Sequence, residues 1–369
     1  MEQKEYRILT INLGATSSSA YVYEGDRQLL AADVSHTVEE LEARQDIHEL
    51  AAFRRDLLLE AIEAGGIALS TIDGIAAGGI GKRGRYYGGA YEITAQTAAD
   101  AANDPHRGLA CGPLIAHALS EQYGIPAYLY DVFMVDEMQE VARVSGTPAI
   151  ERSGETHTLN TRAAARAAAA DLGRTYEDVT FIMCHLGGGI STSLHVRGKI
   201  LDVTSTDEGT FTLDRSGRVP CEKLLNLCLS GNYTEKELRR LLRGDAGLIG
   251  YLGTNDCKEV EQRIADGDRK AELVYRAMAY QTAKDVGALA AAVCGKVDAI
   301  VLTGGIAWSQ MFTGMIEEYV SFLAPVLRKP GSYEMKAMAD GVARVLRGEE
   351  KAWPYRPGET ILTGKVLPF

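Results

Sequence analysis

Two similar segments in distant parts of the chain constrain its fold more than any other sequence feature. Residues 182–199 read IMCHLGGGISTSLHVRGK, and residues 9–26 read LTINLGATSSSAYVYEGD. At a constant offset of 173 residues, and without a gap, Asn12 aligns with His185, Gly14 with Gly187 and Ser18 with Ser191. Each segment reads as strand, glycine-bearing turn, strand, tight turn and third strand. Repetition of this unit predicts an internally duplicated α/β architecture.

The first turn of the second copy has a composition that suits anion binding. Gly187, Gly188 and Gly189 would allow the backbone to take positive φ and to approach a ligand closely. Amide groups directed inward from such a turn form a nest whose usual occupant is phosphate. Many hairpins carry glycine for geometry alone, so a purely structural interpretation stays open. Two facing copies would place two phosphate loops opposite each other, as in actin-like and sugar-kinase-like ATPases.

Composition narrows the class of protein. The 369 residues suit two domains of ordinary size, and 46% are hydrophobic. The net charge of −11 argues against a nucleic-acid-binding surface. The cysteines lack a CxxC pair and predict reduced thiols in the cytoplasm; they are Cys111, Cys184, Cys221, Cys228, Cys257 and Cys294. No signal peptide or membrane-spanning run is recognisable, so we expect a cytoplasmic protein with no membrane or nucleic-acid partner.

Hydrophobic periodicity places the predicted elements in an alternating order. In the first half we expect strands at 6–13, 72–77 and 127–130, with residues 21–34 completing the first hairpin unit, and helices at 47–63 and 111–123. In the second half we expect an alanine-rich helix after Asn160, helices at 221–229 and 270–293, a strand at 298–302 and a last helix at 332–346. The periodicity breaks at 146–153. We therefore predict one domain of residues 1–150 plus about 335–369, and another of 151–334.

Two polar features follow predicted strands. The loop after the strand at 72–77 reads AGGIGKRGRYYGGAY and contains Lys82, Arg83 and Arg85. It is either a solvated loop or an anion-facing loop at the carboxyl end of a strand, where open α/β sheets bind ligands. Asp131 ends the strand at 127–130 and is either a metal-associated or orienting carboxylate or a helix cap.

A series of motifs in the second half resembles the butyrate kinases. These motifs are HLGGGIS, DRSGRVP, GTNDCKEVE, AMAYQTAKDVGA and DAIVLTGGIA, and VDEMQEVARVSGTPAIER and ADGVARVLRGEEKA fit the same pattern. More widely, the chain is similar to the acetate and propionate kinases of the acetokinase family, and the resemblance covers nearly all of it. The resemblance implies two actin-like (ribonuclease H-like) domains with a nucleotide cleft between them, ATP or ADP with Mg²⁺, and a homodimer or higher homo-oligomer. It also implies reversible transfer of the ATP γ-phosphoryl group to a short carboxylic acid, giving an acyl phosphate.

The chemistry of that reaction explains why no general base is recognisable. A carboxylate is already ionised at neutral pH, so the nucleophile needs no deprotonation. The reaction requires positive charge and alignment, because two anions must meet around the transferred phosphoryl group. An arginine suits this role, since its planar and permanently charged fork matches the phosphoryl oxygens.

Motif positions then assign roles by resemblance. Arg215 in DRSG corresponds to a catalytic arginine, and His157 in ETHTLN to a histidine that stabilises the same phosphoryl group. His185 with Gly187, Gly188 and Gly189 corresponds to the second phosphate loop. Asn12 lies in the first phosphate loop, near metal and γ-phosphate. The remaining implied positions are Asp131 and Glu334 for the metal, Asn255, Asp256 and Lys258 for adenosine, Gly304 and Gly305 for the second nucleotide loop, and His106 before a helix.

The chain departs from the family pattern at several positions. The first phosphate loop reads NLGATSSSA, so Leu13 replaces a proline and Ala20 stands at a lysine position. The strand that ends at Ala77 is followed by glycines where the family has an arginine, and Lys258 replaces an arginine. Lys82, Arg83 or Arg85 would have to supply the missing charge. Tyr86, Tyr87 and Phe133 are candidates for the acyl pocket, but the sequence does not separate butyrate from isobutyrate or propionate.

Two other functions are compatible with parts of this pattern. A non-catalytic nucleotide-binding protein on the same fold would explain the missing arginine and lysine. A sugar or glycerol kinase of the same superfamily would need a carboxylate base beside a sugar pocket, and it would not explain DRSG. An active short-chain acyl kinase explains the largest part of the sequence.

Overall fold

The computed structural model describes residues 4–14, 16–79, 84–104, 107–132 and 135–356. Four residues for which a functional role was predicted lie outside the described ranges: Lys82, Arg83, His106 and Phe133. The chain forms two compact units, one with the described residues up to Asp136 and from Tyr333 onward, the other spanning Glu137–Ser332. The predicted domain limits near 150 and 335 stay a prediction. No described helix is both long enough and apolar enough to cross a bilayer.

The first unit is built on a six-stranded mixed sheet. Its strands are β1 (Arg7–Leu13), β2 (Ser17–Glu24), β3 (Arg27–Ser35), β4 (Gly74–Ala77), β5 (Ala90–Glu92) and β6 (Ala127–Tyr130). Its helices before Asp136 are α1 (Val38–Glu42), α2 (Ile47–Ala64), α3 (Ala95–Ala102) and α4 (Arg107–Tyr123). The strand order is β3-β2-β1-β4-β6-β5. The sheet and the helices match the predicted alternation.

The central strands of this sheet bring polar residues to one edge. β1, β4 and β6 are parallel, and Ile11 pairs with Ala77, which pairs with Leu129. The carboxyl ends of the three strands therefore lie together. Asn12 and Asp131 follow at this edge, which is where open α/β sheets bind ligands.

The second unit contains a five-stranded sheet in the order β11-β10-β7-β8-β9. Its strands are β7 (Thr180–Leu186), β8 (Ile190–Val196), β9 (Lys199–Thr204), β10 (Ala299–Gly304) and β11 (Val326–Pro330). Its helices are α5 (Glu140–Arg143), α6 (Thr158–Asp171), α7 (Cys221–Leu229), α8 (Glu235–Leu242), α9 (Gly247–Leu252), α10 (Cys257–Ala265), α11 (Arg269–Ala292) and α12 (Gln310–Val320). β10 is parallel to β7, with Thr303 opposite His185. The end of β10 and the turn after β7 therefore share an edge.

A last helix, α13 (Glu334–Leu346), returns to the first unit. It packs on β1 and β4. The approach is close because Gly341 lies against the Tyr130 ring, where a Cβ atom would collide with ring carbons. This packing places the first residue of α13 near the carboxyl end of β1.

The duplicated hairpin is present in both units, but its gap-free alignment is wrong by one residue. In the first unit Leu13 pairs with Ser18, which leaves four residues in the turn. In the second unit Leu186 pairs with Ile190, which leaves three residues. The extra residue lies in the turn, so only the pairing of the flanking strands reveals it.

A one-residue gap brings the later parts of the two hairpins into agreement. Both second strands show an irregularity in pairing with the third, at Val22/Tyr23 and at Leu194/His195. With the gap these irregularities fall on equivalent positions, and Ser191 corresponds to Ser19. Since successive strand residues face opposite sides, the correction also changes which side chains are equivalent.

Two further sequence expectations need correction. α4 begins at Arg107, earlier than the predicted Cys111, and contains Pro113. Asp131 does not cap a helix: it has φ of 42° and its backbone N–H bonds to Gly89 O. The predicted helix over 221–229 is confirmed as α7, but it has no buried residue, and Leu225 and Leu229 are 56% and 75% exposed.

Candidate active site

Glycines are required at two positions of the turn between β7 and β8 because neighbouring side chains leave no space for a Cβ atom. None of the three glycines has a positive φ, contrary to the expectation from sequence. A Cβ atom at position 187 would lie 2.8 Å from His185 Nε2, and one at position 189 would lie 2.6 Å from Arg215 Nη1. Position 188 is open. The small residues therefore allow a histidine and an arginine to lie directly against the turn.

The orientation of His185 is set by a neighbouring amide. Asn160 Nδ2 lies 2.9 Å from His185 Nδ1 and donates to Thr303 Oγ1 at 3.3 Å. An amide nitrogen only donates, so Nδ1 accepts and the imidazole proton resides on Nε2. Nε2 is the ring nitrogen beside Gly187. Burial, and then His157, keep the pKa of His185 well below its ordinary value. His185 is thus a neutral N–H donor beside the turn.

His157 stacks on one face of the His185 imidazole. The two imidazoles are stacked at 3.9 Å with an angle of 7° between their planes. His157 immediately precedes α6, and its Nδ1 lies 2.8 Å from Ser191 Oγ. Burial and, second, the charge of Arg215 lower the pKa of His157 to about 4. Both histidines are therefore uncharged at neutral pH.

The pKa of His157 predicts an acid-dependent loss of stability. A histidine that is neutral in the folded state contributes stability above its unfolded pKa of 6.5, and this is lost as pH falls toward about 4. In urea titrations at pH 7 to 4, His157→Asn should show a shallower decline of the unfolding free energy than the wild type. His48→Asn, at an exposed position of α2, is the control and should keep the wild-type slope. Equal slopes for both variants would contradict the prediction.

Arg215 is carried by a loop that many backbone bonds hold in place. Thr212 N–H donates to Arg215 O, and Leu248 N–H donates to Thr212 O. Asp285 on α11 is buried; one carboxylate oxygen accepts from Thr210 N–H at 2.9 Å, and the other pairs with Arg218. This anchoring orders the backbone on both sides of Arg215.

The guanidinium of Arg215 is costly to the folded state. Burial and then the neighbouring Arg243 lower its pKa, while Asp214, 3.7 Å from Nε, opposes the shift. Nε is buried and has no hydrogen-bond partner among the described residues. An anionic ligand would accept a hydrogen bond from the buried donor and would neutralise the remaining positive charge.

In the first unit, Asn12 and Glu334 come together. Asn12 Nδ2 lies 3.3 Å from Glu334 Oε2, so Glu334 contacts the carboxyl end of β1. Burial raises the pKa of Glu334, and the hydrogen bond from Asn12 partly offsets this. A neighbouring cation would favour its ionised form.

Asp131 lies at the same sheet edge but not beside this pair. It is two strands from β1 in the sheet order, which corresponds to roughly 10 Å. Its side chain is 3% exposed, and Oδ1 accepts from Gly89 N–H at 2.8 Å. One carboxylate oxygen is thus used in fixing the loop before β5.

The donors of the first unit fit Mg²⁺. Mg²⁺ prefers oxygen ligands and is usually held by one or two carboxylates together with substrate phosphates and water. Glu334 supplies a part-buried carboxylate and Asn12 an amide oxygen. Within the described ranges, no group of three or more His, Cys, Asp or Glu side chains is arranged to hold a metal ion. Asn12 and Glu334 are therefore two donors at this edge that could hold a cation.

The structure gives a reason for the glycines after β4. A Cβ atom at position 78 would collide with Asn12 Oδ1. Gly79 has φ of 139°, and a Cβ atom there would lie 2.6 Å from Leu109 O. Gly112 of α4 in turn meets Gly78 O. A side chain as large as arginine has no room at position 78 or 79, because α4 and Asn12 occupy the space.

The remaining predicted nucleotide residues are spread over the second unit. Asn255, Asp256 and Lys258 are exposed, and Asp256 caps α10 by accepting from Lys258 N–H at 2.8 Å. Gly304 has φ of 89°, and a Cβ atom there would collide with Leu186 O, which explains the glycine at the end of β10. Gly305 opens a short 3₁₀ turn with free space around it.

The aromatic residues proposed for an acyl pocket participate in packing. Tyr86 is buried, makes an edge contact with Tyr91 at 5.4 Å and stacks with Tyr355 at 6.1 Å. Tyr87 lies 5.1 Å from the Trp353 ring. Their part in acyl recognition stays a prediction.

Sequence reasoning missed the residues that orient the histidines. Asn160 is fully buried between His185 and Thr303, and Ser191 Oγ contacts both His157 Nδ1 and Thr156 Oγ1. The available signal was the density of polar residues in ETHTLN at the start of α6. Nothing local indicated that these polar groups would be buried.

The fold has solved counterparts among acetate kinases. A crystal structure of Porphyromonas gingivalis acetate kinase matches 92% of this chain and 100% of its own, with a TM-score of 0.75 and 20% identity. The two-sheet architecture is thus the fold of acetate kinases, which confirms the predicted actin-like α/β fold.

Sequence comparison identifies the family. The sequence model of the acetokinase family matches residues 144–318. Butyrate kinase 2 of Clostridium acetobutylicum is 39% identical over 95% of this chain and 100% of its own length. A probable butyrate kinase of Listeria innocua serovar 6a is 40% identical over 95% of this chain and 99% of its own. The chain belongs to the acetokinase family.

Proposed function

We propose that this protein is a short-chain fatty acid kinase that transfers the ATP γ-phosphoryl group reversibly to butyrate or a branched-chain analogue. The observation that carries the proposal is the second-unit turn, where Arg215 and the neutral His185 both lie against Gly187–Gly189. This combination presents one permanent positive charge and imidazole N–H donors to an anion. The similarity to butyrate kinases over nearly the whole chain supports the choice of acid.

The proposed step needs no proton transfer. A carboxylate oxygen of the acid attacks the γ-phosphorus, the bond from that phosphorus to the β–γ bridging oxygen breaks, and ADP leaves. Arg215 would neutralise charge on the equatorial phosphoryl oxygens, and His157 and His185 would donate without adding a second full charge. Uncharged histidines suit this role because they remain donors throughout the neutral pH range.

We assign the other predicted residues to binding. Asn12 and Glu334 would hold Mg²⁺, and Asp131 of the same sheet edge would reach it only through its waters. Asn12 and Asp131 join Arg215 and His157 as proposed catalytic residues. Bound Mg²⁺ would neutralise nucleotide phosphate charge. The proposed nucleotide contacts are His185, Gly187–Gly189, Asn255, Asp256, Lys258, Gly304 and Gly305.

Trapping the acyl phosphate tests this function directly. Purified protein with MgATP, hydroxylamine and butyrate should form the hydroxamate, and isobutyrate, propionate and acetate in parallel define acyl preference. Omission of ATP or acid is the control. Absence of hydroxamate with every acid, while calorimetry still detects ATP binding, would favour a non-catalytic nucleotide-binding protein. We expect the reaction to be cytoplasmic, because ATP and free thiols are characteristic of that compartment.

We also propose a homodimer that uses the exposed apolar face of the second unit. Leu225 and Leu229 of α7 are exposed, and an open groove of about 620 Å³ is lined by Val219, Pro220, Leu241, Tyr251 and Leu273, among others. Exposed apolar side chains beside an apolar groove are a common feature of protein interfaces. The groove borders the loop that carries Arg215, so association would cover part of that loop.

Charged substitutions on α7 should dissociate the oligomer. The wild type should have twice the 39.9 kDa chain mass by light scattering, whereas Leu225→Glu/Leu229→Glu should approach the monomer mass. Val141→Glu on α5, at a position 62% exposed, is the control and should remain a dimer. A monomeric wild type, or a dimeric double variant, would refute this assignment.

A further inference from the structure

The first glycine-bearing turn contains no cation of its own, yet an arginine lies buried beneath it. Residues 12–20 read NLGATSSSA, without lysine or arginine. Arg54 of α2 is 1% exposed, and its Nη1 donates to Gly14 O at 2.9 Å and approaches Ser17 O at 3.4 Å. Gly14 N–H in turn donates to Ser17 O at 2.9 Å. One guanidinium thus engages both ends of the turn.

The position of Arg54 on its helix is unusual for a charged residue. Leu50, Arg54, Leu58 and Ile62 follow one another at four-residue spacing, and all four are buried. Arg54 therefore occupies a core position in the apolar stripe. Burying a guanidinium is expensive, and an apolar residue of similar volume would usually stabilise the fold at least as well. The hydrogen bonds from Arg54 to the backbone of the turn therefore explain why an arginine occupies this position.

Buried groups of neighbouring elements surround the guanidinium under the turn. His36 Nε2 lies 2.7 Å from Ser18 Oγ, and the charge of Arg54 contributes, after burial, to lowering the pKa of His36. Cys111 of α4 is another neighbour: burial raises the pKa of its thiol to about 11, and the charge of Arg54 partly opposes this rise. Helices α2 and α4 and the start of β2 therefore enclose the guanidinium.

This geometry suits a turn that must bind an anion on its outer side. Arg54 donates to Gly14 O and approaches Ser17 O, so it fixes both described ends of the turn from one side. A turn that is already held in one conformation loses less conformational entropy when an anion binds to it. The charge of Arg54 also adds positive potential at the turn, with low-dielectric protein between.

We propose that Arg54 is a positioning residue for the nucleotide phosphates: it fixes the first turn from beneath and supplies its positive potential. The proposal rests on the kinase function proposed above and adds a residue that does not itself touch the nucleotide. It also accounts for positive charge in a unit whose glycines at 78 and 79 leave no room for an arginine at the strand end.

The test compares Arg54→Met and Arg54→Lys with Arg55→Met. Arg55 is the next residue on α2, is partly exposed and pairs with Asp56 at 2.7 Å, so it is a matched control. We expect Arg54→Met to lower kcat/KM for ATP roughly ten- to a hundredfold, the effect of losing one or two charge-assisted bonds. The KM for the acid should change less than about threefold. Arg54→Lys should recover part of the loss, because ammonium keeps the charge but not the fork.

A second readout separates positioning from simple stability. The rise in melting temperature caused by MgADP should shrink in both Arg54 variants and stay at the wild-type value in Arg55→Met. If the Arg54 variants melt earlier but keep the wild-type ADP shift and KM for ATP, the arginine is purely structural and the proposal is overturned. Should Arg54→Met be insoluble, Arg54→Lys decides by the same two measurements. If the wild type makes no hydroxamate, the kinase proposal fails separately, and the ADP shift still tests Arg54.

Discussion

Arg215→Ala should reduce acyl phosphate formation at least about a thousandfold while leaving the protein as stable as the wild type or more so. The loss is expected because an arginine that meets the transferred phosphoryl group commonly contributes this much to kcat. The retained stability is expected because the guanidinium destabilises the free protein: burial and Arg243 lower its pKa, and its buried Nε has no hydrogen-bond partner among the described residues. Hydroxamate rates and melting temperature measure the two effects.

Controls distinguish a missing charge from a damaged loop. Arg239→Ala removes an arginine on α8 that is 78% exposed and pairs with Glu235, and it should keep full activity. Arg215→Lys should lie between alanine and wild type, because lysine keeps the charge without the planar fork. Activity of Arg215→Ala within about threefold of the wild type would remove Arg215 from the mechanism, whatever its melting temperature.

Glu334→Gln should reduce activity about a hundredfold or more and should weaken the dependence of the rate on Mg²⁺. The substitution keeps the size and an oxygen that can accept from Asn12, but it removes the negative charge that a bound cation would need. Initial rates over a Mg²⁺ titration at saturating ATP and acid measure this effect. Glu349→Gln, just beyond α13 where Glu349 pairs with Arg347, is the matched control.

The same variant should be more stable than the wild type at neutral pH in the absence of nucleotide. Burial raises the folded-state pKa of Glu334 above its ordinary value of 4.5, so the wild type loses stability as pH rises through this interval and the carboxyl group ionises. Glutamine does not ionise. The stability advantage of Glu334→Gln should therefore be absent below about pH 4 and constant once the folded carboxyl is ionised. Urea midpoints at pH 4 and 7.5 with equal differences between variant and wild type would contradict this account of the site.

Most of the elements were predictable because their signals are local. The strand at 127–130 and the helices at 47–63 and 270–293 are confirmed within one or two residues, since apolar spacing and terminal glycines reflect the backbone period directly. The duplicated hairpin was also visible, and its turns were expected at the sheet edges where open α/β sheets bind ligands. Family motifs then indicated which polar residues to examine.

The details of the site required the tertiary structure. From the sequence, Gly187–Gly189 were expected to be needed for positive φ. The structure shows instead that they make room for two side chains: His185, which precedes the turn, and Arg215, which comes from a distant loop. The one-residue gap in the first turn depends on hydrogen-bond register between strands, which leaves no trace in composition.

The sequence by itself determined the order of elements, the duplication and the family, because these depend on periodicity and on motifs that are contiguous in the chain. Only the tertiary structure decided which side chains meet. Asn160 orients His185 across 25 residues, Asn12 meets Glu334 across 322, and Arg54 reaches under a turn 40 residues away. Such contacts arise from the packing of helices on sheets, and burial shifts the pKa values of His185, Glu334 and Arg54.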